Sequence, residues 1–276
     1  MDELYLVARR VLLDALAALG PHRDAVVLVG AQAVYLRVGE ADIAVAPYTT
    51  DGDLAIDPAV LAEIPPLEQS LLEAGFFLRK KGSVGEWATR KPTKANPQTE
   101  VVIDLLVPAS VSPGEGRRAA SLPGHDKKAA RIVHGLEGAL IDADVMALGS
   151  LELSDERTFD VRVAGPAALL VAKVHKIKER SVDPRRQKDK DALDILRLLR
   201  GVETADLATR YQRLLADERS SEVAASACAW FRQQFAEPTG EGIAMAVRSV
   251  GVLADAAEIA ASCEVLANDL LDALGR

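Results

Sequence analysis

Aromatic residues, cysteines and histidines are all scarce in this chain. Phe, Trp and Tyr together make up 4% of its 276 residues, and there are 2 cysteines and 4 histidines. Because these cysteines and histidines lack the spacing of a zinc motif, we expect no structural zinc and two buried free thiols. The low aromatic content argues against sequence-specific recognition of single-stranded bases, which uses aromatic stacking.

Long apolar runs and excess positive charge are also absent. No run approaches the roughly 20 apolar residues that cross a bilayer. The chain opens with Met1-Asp2-Glu3, which is acidic where a secretory signal is basic. We therefore expect a cytoplasmic protein without a membrane partner. The formal net charge of -8 excludes a general attraction to phosphate backbones, so an RNA contact would have to use a local basic patch.

The apolar patterns predict an α+β fold of two domains, residues 1–164 and 165–276. In the first domain we expect helices over 4–19, 31–38 and 58–74, and strands over 25–29, 53–57, 76–79, 86–91 and 100–107. After Pro166 nearly every segment has a helical period. The expected architecture is a mixed sheet flanked by helices, followed by an all-helical C-terminal domain.

Two aspartates stand two positions apart in Asp51-Gly52-Asp53. Residues i and i+2 of an extended segment project to the same side, so the two carboxylates repel each other. A hard divalent cation such as Mg²⁺, or Mn²⁺ in its place, relieves this repulsion because it prefers carboxylate oxygen. The pattern also occurs in plain turns, so its context has to decide.

Asp104 is the natural third ligand because it interrupts the apolar strand 100–107. An unpaired charge buried there would cost on the order of several kcal/mol. Three acids on adjacent strands can hold two ions that stabilise the attacking and leaving oxygens at a phosphorus centre. Ahead of the acid pair, Val29-Gly30-Ala31 predicts a strand that turns into a helix, where glycine lets backbone amides approach a phosphate. A plain strand-to-helix turn is the alternative.

Basic and acidic side chains follow in the second domain. Lys173, Lys176 and Arg180 have the spacing of one helix face and could neutralise a triphosphate or a leaving pyrophosphate. A solvated basic helix face is the alternative. Asp191 and Asp194 share a face of the next helix and are expected either to orient Lys173 or to help position the acceptor, with an exposed acidic edge as the alternative. The most concentrated basic patch, at which RNA could dock, consists of Arg185, Arg186 and Lys188.

Together these motifs resemble the nucleotidyltransferase fold of the DNA polymerase β superfamily, and within it the AbiEii and MenT group of toxin–antitoxin enzymes. The resemblance covers roughly residues 25–200. In that group a glycine turn precedes Thr-Asp-x-Asp, which is similar to Gly30-Ala31 and Thr50-Asp51-Gly52-Asp53. The later helix with its lysine and the Asp-x-x-Asp segment are similar to Leu170–Arg180 and Lys190–Ile195.

The resemblance implies a set of site residues. These are the metal ligands Asp51, Asp53 and Asp104, the further catalytic residues Lys173 and Asp191, and the nucleotide-binding residues Gly30, Ala31, Thr50, Lys176 and Arg180. The implied reaction moves a nucleoside monophosphate from an NTP to an acceptor hydroxyl, such as the 3′ end of a tRNA, in a toxin restrained by a cognate antitoxin. The alternatives are a small-molecule or protein acceptor, and a non-catalytic binding module that keeps the fold.

Overall fold

The computed structural model describes residues 2–39, 41, 43, 45–112, 118–183 and 188–276. The chain divides into two compact units, each assembled from separate stretches of sequence. The sheet unit comprises Met1–Ala33, Tyr48–Val133 and Ala143–Ala164, and the helical unit comprises Val34–Pro47, His134–Asp142 and Gly165–Arg276. Two stretches of the predicted first domain, 34–47 and 134–142, therefore belong to the helical unit.

One mixed sheet of eight strands organises the described part of the sheet unit. The strands are β1 Val26–Val29, β2 Asp51–Ile56, β3 Phe77–Leu78, β4 Glu86–Lys91, β5 Thr99–Pro108, β6 Arg131–Val133, β7 Ala143–Gly149 and β8 Thr158–Ala164. Their order is β3-β4-β5-β2-β1-β8-β7, with β6 beside β5. Three pairs, β1–β8, β2–β5 and β5–β6, are parallel, and the others are antiparallel.

The centre of this sheet is covered by an amphipathic helix. Helix α1, Glu3–Ala18, packs on β2 and β5. It begins at Asp2, whose Oδ1 accepts hydrogen bonds from the backbone N–H groups of Leu4 and Tyr5 and so satisfies two of the free donors at the helix start. All residues of β1 are buried, as expected for an apolar strand in the middle of a sheet.

The helix predicted over 58–74 is wrong in its first half. Helix α3 spans only Leu67–Glu73. Pro65 and Pro66 give the reason, because a proline lacks the N–H group that a helix interior needs and keeps the residue before it out of the helical region. Pro66 instead occupies the position that immediately precedes the helix.

The helical unit contains the end of α2, Gly30–Val38, and the helices after residue 165. These are α4 Pro166–Arg180, α5 Lys190–Gly201, α6 Thr204–Ala216, α7 Ser221–Phe231, α8 Glu241–Val250 and α9 Ala256–Ala273. Helix α4 packs against α5, α6 and α7, and α8 packs against α5 and α9. The predicted α+β class with a helical C-terminal part is thus confirmed. Within the described residues, no helix is both long enough and apolar enough to cross a membrane.

The first turn of α4 is capped by a residue that lies far from it in sequence. Gly165 precedes the helix and has no side chain to cap it, and Asp142 Oδ2 instead accepts hydrogen bonds from the N–H groups of Ala167 and Ala168, both at 3.1 Å. Asp142 Oδ1 pairs with Arg210 of α6 at 2.8 Å. A Cβ at position 165 would lie 2.0 Å from this carboxylate, so only glycine fits there.

Asp142→Ala should lower the free energy of unfolding by about 2 kcal/mol, because a helix cap and a mostly buried ion pair are lost together. Urea denaturation followed by circular dichroism measures the loss. Asp206→Ala is the matched control, since Asp206 binds the same Arg210 at 3.1 Å but is largely exposed. We expect the control to lose less than about 0.5 kcal/mol. Equal losses in the two variants would contradict a capping role for Asp142.

Candidate active site

The three predicted metal ligands lie on two adjacent strands. Asp53 of β2 is the parallel register partner of Asp104 of β5, and Asp51 precedes Asp53 by two residues. Neighbouring strands lie about 5 Å apart, and side chains alternate between the two faces of a sheet. The three carboxylates therefore project from one face, and they are referred to below as the acidic cluster, Asp51, Asp53 and Asp104.

A glycine turn lies directly against the acidic cluster. Gly30 follows β1 with a φ of 72°, and a Cβ on it would lie 2.0 Å from Asp53 Oδ2. Only glycine combines this backbone conformation with such a close approach. Helix α2 begins at the same residue, so its partially positive N-terminus lies beside the Asp53 carboxylate.

Asp104 has one neutralised oxygen and one unsatisfied oxygen. Arg131 NH2 pairs with Asp104 Oδ2 at 2.7 Å, whereas Oδ1 is buried and accepts no hydrogen bond from the described residues. Burial and the charge of Asp53 raise the pKa of Asp104 to about 7, against the opposite effect of Arg131. Such a carboxyl group gains most from a bound proton or an added cation.

Further polar groups surround the acidic cluster. Glu86 of β4 is the register partner of Asp104 and helps to raise the pKa of Asp104. Thr49 donates a hydrogen bond from Oγ1 to Asp51 Oδ1 at 2.5 Å, and Thr50 is exposed. Among the described residues, no group of three or more His, Cys, Asp or Glu side chains has an arrangement that could hold a metal ion. Arg131 and Thr49 instead bind carboxylate oxygens that a cation would use.

Lys173 is buried, so a solvated helix face is the wrong description of it. Its side chain is 4% exposed, and Nζ donates to Asp191 Oδ1 at 2.9 Å and to Asp194 Oδ2 at 2.5 Å. Arg180 donates to Asp191 Oδ2 at 2.5 Å. Burial alone would lower the pKa of Lys173, but the two carboxylates raise it above its ordinary value. These four side chains form the Lys173 network of the helical unit.

The exposed acidic edge that was one alternative for Asp191 and Asp194 is also wrong, since their exposed fractions are 0% and 1%. Burial alone would raise the pKa of Asp191, but the charges of Lys173, Lys176 and Arg180 hold it below its ordinary value. Both aspartates accept hydrogen bonds from Lys173, as expected for groups that orient it, and a role in positioning the acceptor stays a prediction. The contact of Lys173 with a triphosphate stays a prediction. In this structure its ammonium group is already bound by two carboxylates.

The predicted site residues are divided between the two units. Gly30, Ala31, Thr50 and the acidic cluster belong to the sheet unit, and Lys173, Lys176, Arg180 and Asp191 belong to the helical unit. In the predicted RNA patch, Arg185 and Arg186 lie outside the described residues.

Comparisons with known proteins give one structural likeness. No family model matches the chain, and no curated protein matches it. This chain is similar to the crystal structure of an antigenic nucleotidyltransferase-like protein from Paracoccidioides brasiliensis, at 16% identity and a TM-score of 0.41 over 82% of this chain and 93% of that chain. A likeness of this size is too low to transfer an activity, so the function has to come from the geometry of the site.

Glu86, Arg131 and Gln32 are neighbours of the acidic cluster that sequence reasoning missed. Gln32 is 1% exposed and donates a hydrogen bond to the backbone oxygen of Asp51. It interrupts an apolar run just as Asp104 does, so the same pattern could have revealed it. Glu86 and Arg131 give no such indication, because strand register brings them to Asp104.

Lys173→Ala should lower the free energy of unfolding by about 3–5 kcal/mol, because it leaves two buried carboxylates with too little positive charge. Equilibrium denaturation in guanidinium chloride measures the change. Lys178→Ala is the control on the same helix, since Lys178 is exposed and its Nζ lies 5.8 Å from the centre of the Trp230 ring, and we expect a change below about 1 kcal/mol. A Lys173→Ala protein as stable as the parent would show that the network does not depend on this ammonium group.

Proposed function

We propose that this chain is a cation-dependent nucleotidyltransferase with the fold of the DNA polymerase β superfamily. It would transfer a nucleoside monophosphate from an NTP to an acceptor hydroxyl and release pyrophosphate. The observation that supports this most is the register pair of Asp53 and Asp104, with Asp51 on the same face. Carboxylates concentrated in this way have little structural use without a partner of positive charge.

The acidic cluster fits a divalent cation in its chemistry. Asp104 Oδ1 is buried without a hydrogen bond from the described residues, and the charges of Asp53 and Asp51 act on Asp104. All the donors are carboxylate oxygens, which Mg²⁺ and Mn²⁺ prefer. Since Arg131 holds Asp104 Oδ2, a cation would compete with this guanidinium group for Asp104.

Each part of the sheet-unit site would have a separate task. Asp51, Asp53 and Asp104 would hold the cation, which when bound polarises the reacting phosphate and neutralises the departing pyrophosphate. The backbone N–H groups at Gly30 and Ala31 would bind phosphate oxygens, because α2 begins there and a helix N-terminus favours phosphate. The exposed hydroxyl of Thr50 would add a further contact to the nucleotide.

The acceptor and the biological role rest on the resemblance to the AbiEii and MenT group. That resemblance favours the 3′ end of a tRNA as acceptor, growth arrest as the outcome and a cognate antitoxin as partner. It also assigns Lys176 and Arg180 to nucleotide binding and Lys173 and Asp191 to catalysis. In this structure the last two belong to a buried, charge-balanced network, so contact with a substrate would require the network to open.

Asp53→Asn should abolish transfer, by at least about 100-fold, because an amide cannot supply a carboxylate ligand. The measurement is incorporation from each labelled NTP into total RNA, a protein fraction and small molecules, with Mg²⁺ or Mn²⁺. Asp57→Asn is the matched control, since Asp57 follows β2 and lies near Arg162 instead of joining the acidic cluster.

We expect the control to keep parent activity and both variants to melt like the parent without metal. Product in the protein or small-molecule fraction would reassign the acceptor. Absence of transfer by the parent protein with every NTP and every fraction would favour a non-catalytic binding module.

Arg131→Gln should make the stability of the protein more dependent on Mg²⁺. Without metal, loss of the ion pair with Asp104 should lower Tm on the order of 2–4 °C. Added Mg²⁺ should then raise Tm by more than it does in the parent, because no guanidinium group competes for Asp104. Differential scanning fluorimetry with and without Mg²⁺ measures both changes, with Arg162→Gln as control. A smaller Mg²⁺ effect in Arg131→Gln than in the parent would contradict this competition.

A further inference from the structure

Gln32 carries a polar amide group in a buried position. It lies in the first turn of α2, is 1% exposed and stands between apolar neighbours, Ala31 and Ala33, that are also buried. An amide buried without hydrogen bonds is costly, on the order of 1–3 kcal/mol in protein interiors. Its presence therefore calls for partners that use both ends of the amide.

Both ends of the Gln32 amide are used, and their chemistry fixes its orientation. Oε1 accepts a hydrogen bond from Arg9 Nε at 2.8 Å, and Nε2 donates one to the backbone oxygen of Asp51 at 3.0 Å. A guanidinium group can only donate and a carbonyl oxygen can only accept, so the amide cannot be flipped. Gln32 thus links Arg9 to the backbone of Asp51 in one direction.

The hydrogen bond from Gln32 to the Asp51 backbone oxygen replaces a β1–β2 hydrogen bond that the sheet lacks at this position. In the antiparallel register of β1 and β2, Val29 pairs with Asp53, and two more residues of β1 would place Ala31 opposite Asp51. The chain leaves the sheet at Gly30 to enter α2, so Ala31 cannot serve as the ladder partner. The side chain of Gln32 supplies the donor that the strand no longer provides.

Arg9 is held rigidly at the other end of this link. It is 4% exposed, and among the described residues its hydrogen-bond partners are all neutral: Gln32 Oε1, the Gly149 backbone oxygen at 3.0 Å and the Tyr5 hydroxyl at 3.4 Å. Arg9 belongs to α1 and Gly149 ends β7, so it ties a helix and a strand to the Gln32 amide. A side chain anchored in this way has little freedom to let Gln32 move.

We propose that Gln32, held by Arg9, is a positioning residue for the cation site, because it fixes the backbone of Asp51 where β2 begins. The inference rests on the proposed function, in which Asp51 is a cation ligand. At Asp51, β2 is paired with β5 but not with β1, so loss of the Gln32 bond would let the Asp51 carboxylate shift relative to Asp53 on the side that faces β1. Groups that orient a ligand in this way typically contribute about 10- to 100-fold to metal affinity.

Two substitutions separate positioning from folding. Gln32→Met keeps the size of the side chain but loses both hydrogen bonds. Gln32→Glu keeps the shape and can pair with Arg9, so the protein should fold, but a carboxylate presents an acceptor to the Asp51 carbonyl in place of a donor. The added negative charge would by itself strengthen cation binding. A loss of affinity in Gln32→Glu therefore reports on geometry and not on charge.

The experiment is titration of the full-length chain with Mn²⁺ alone, in which electron paramagnetic resonance measures free Mn²⁺. Ser220→Ala is the matched control, because Ser220 is 1% exposed and its hydroxyl donates to the Leu214 backbone oxygen at 2.7 Å in the helical unit. It loses one buried side-chain bond to a backbone carbonyl without touching the acidic cluster. Melting curves confirm that each variant is folded at the temperature of the titration.

We expect the Mn²⁺ dissociation constant to rise about 10-fold or more in Gln32→Glu and Gln32→Met and to stay at the parent value in Ser220→Ala. Parent-like or tighter binding by a folded Gln32→Glu protein would overturn the inference while leaving the cation site intact. If the parent protein binds no Mn²⁺, the cation site itself is wrong and the positioning role is overturned with it. If Gln32→Met does not fold, Gln32→Glu decides alone.

Discussion

Repulsion among carboxylates on one face of the sheet is the constraint around which the sheet unit is arranged. Asp53 and Asp104 are neighbours by strand register, and Asp51 joins them by the alternation of side chains. Like charges so close, and partly withdrawn from water, need compensation. Arg131, Thr49 and the N-terminus of α2 each provide some of it. Burial and the charge of Asp53 still raise the pKa of Asp104, so these groups do not offset the two effects completely.

The Lys173 network shows what complete compensation looks like in the same chain. There, Asp191 and Asp194 are matched by Lys173 and Arg180, and every charged group has a close partner of opposite sign. In the acidic cluster, Arg131 is the one cationic side chain in the described residues that forms an ion pair with it. The first arrangement is balanced and fits a structural role, whereas in the second Asp104 Oδ1 is buried and accepts no hydrogen bond from the described residues.

The parts of the fold that repeat with a regular period were predictable from sequence. The strand with Asp104 and the helix before Gly20 follow from apolar patterns, and Asp-x-Asp projects to one face in any extended segment. These patterns do not show which side chains, distant in sequence, form ion pairs. Arg131 meets Asp104 because β5 pairs with β6, and Lys173 is buried because α5 brings two aspartates to α4. A basic residue with helical spacing looks the same in sequence whether its partner is water or a carboxylate.

The link between Asp142 and Gly165 has a consequence for how the chain is threaded. The Gly165 N–H group donates to the Asp142 backbone oxygen at 2.6 Å, so the chain leaves the helical unit and returns to it at almost the same point. Between these two residues lies the hairpin of β7 and β8. The hairpin is thus an insertion in the sequence of the helical unit, and its two ends are joined by this hydrogen bond. The entropy of closing a flexible loop depends only weakly on its length, so the turn between β7 and β8, residues 150–157, could become longer or shorter without loosening the start of α4.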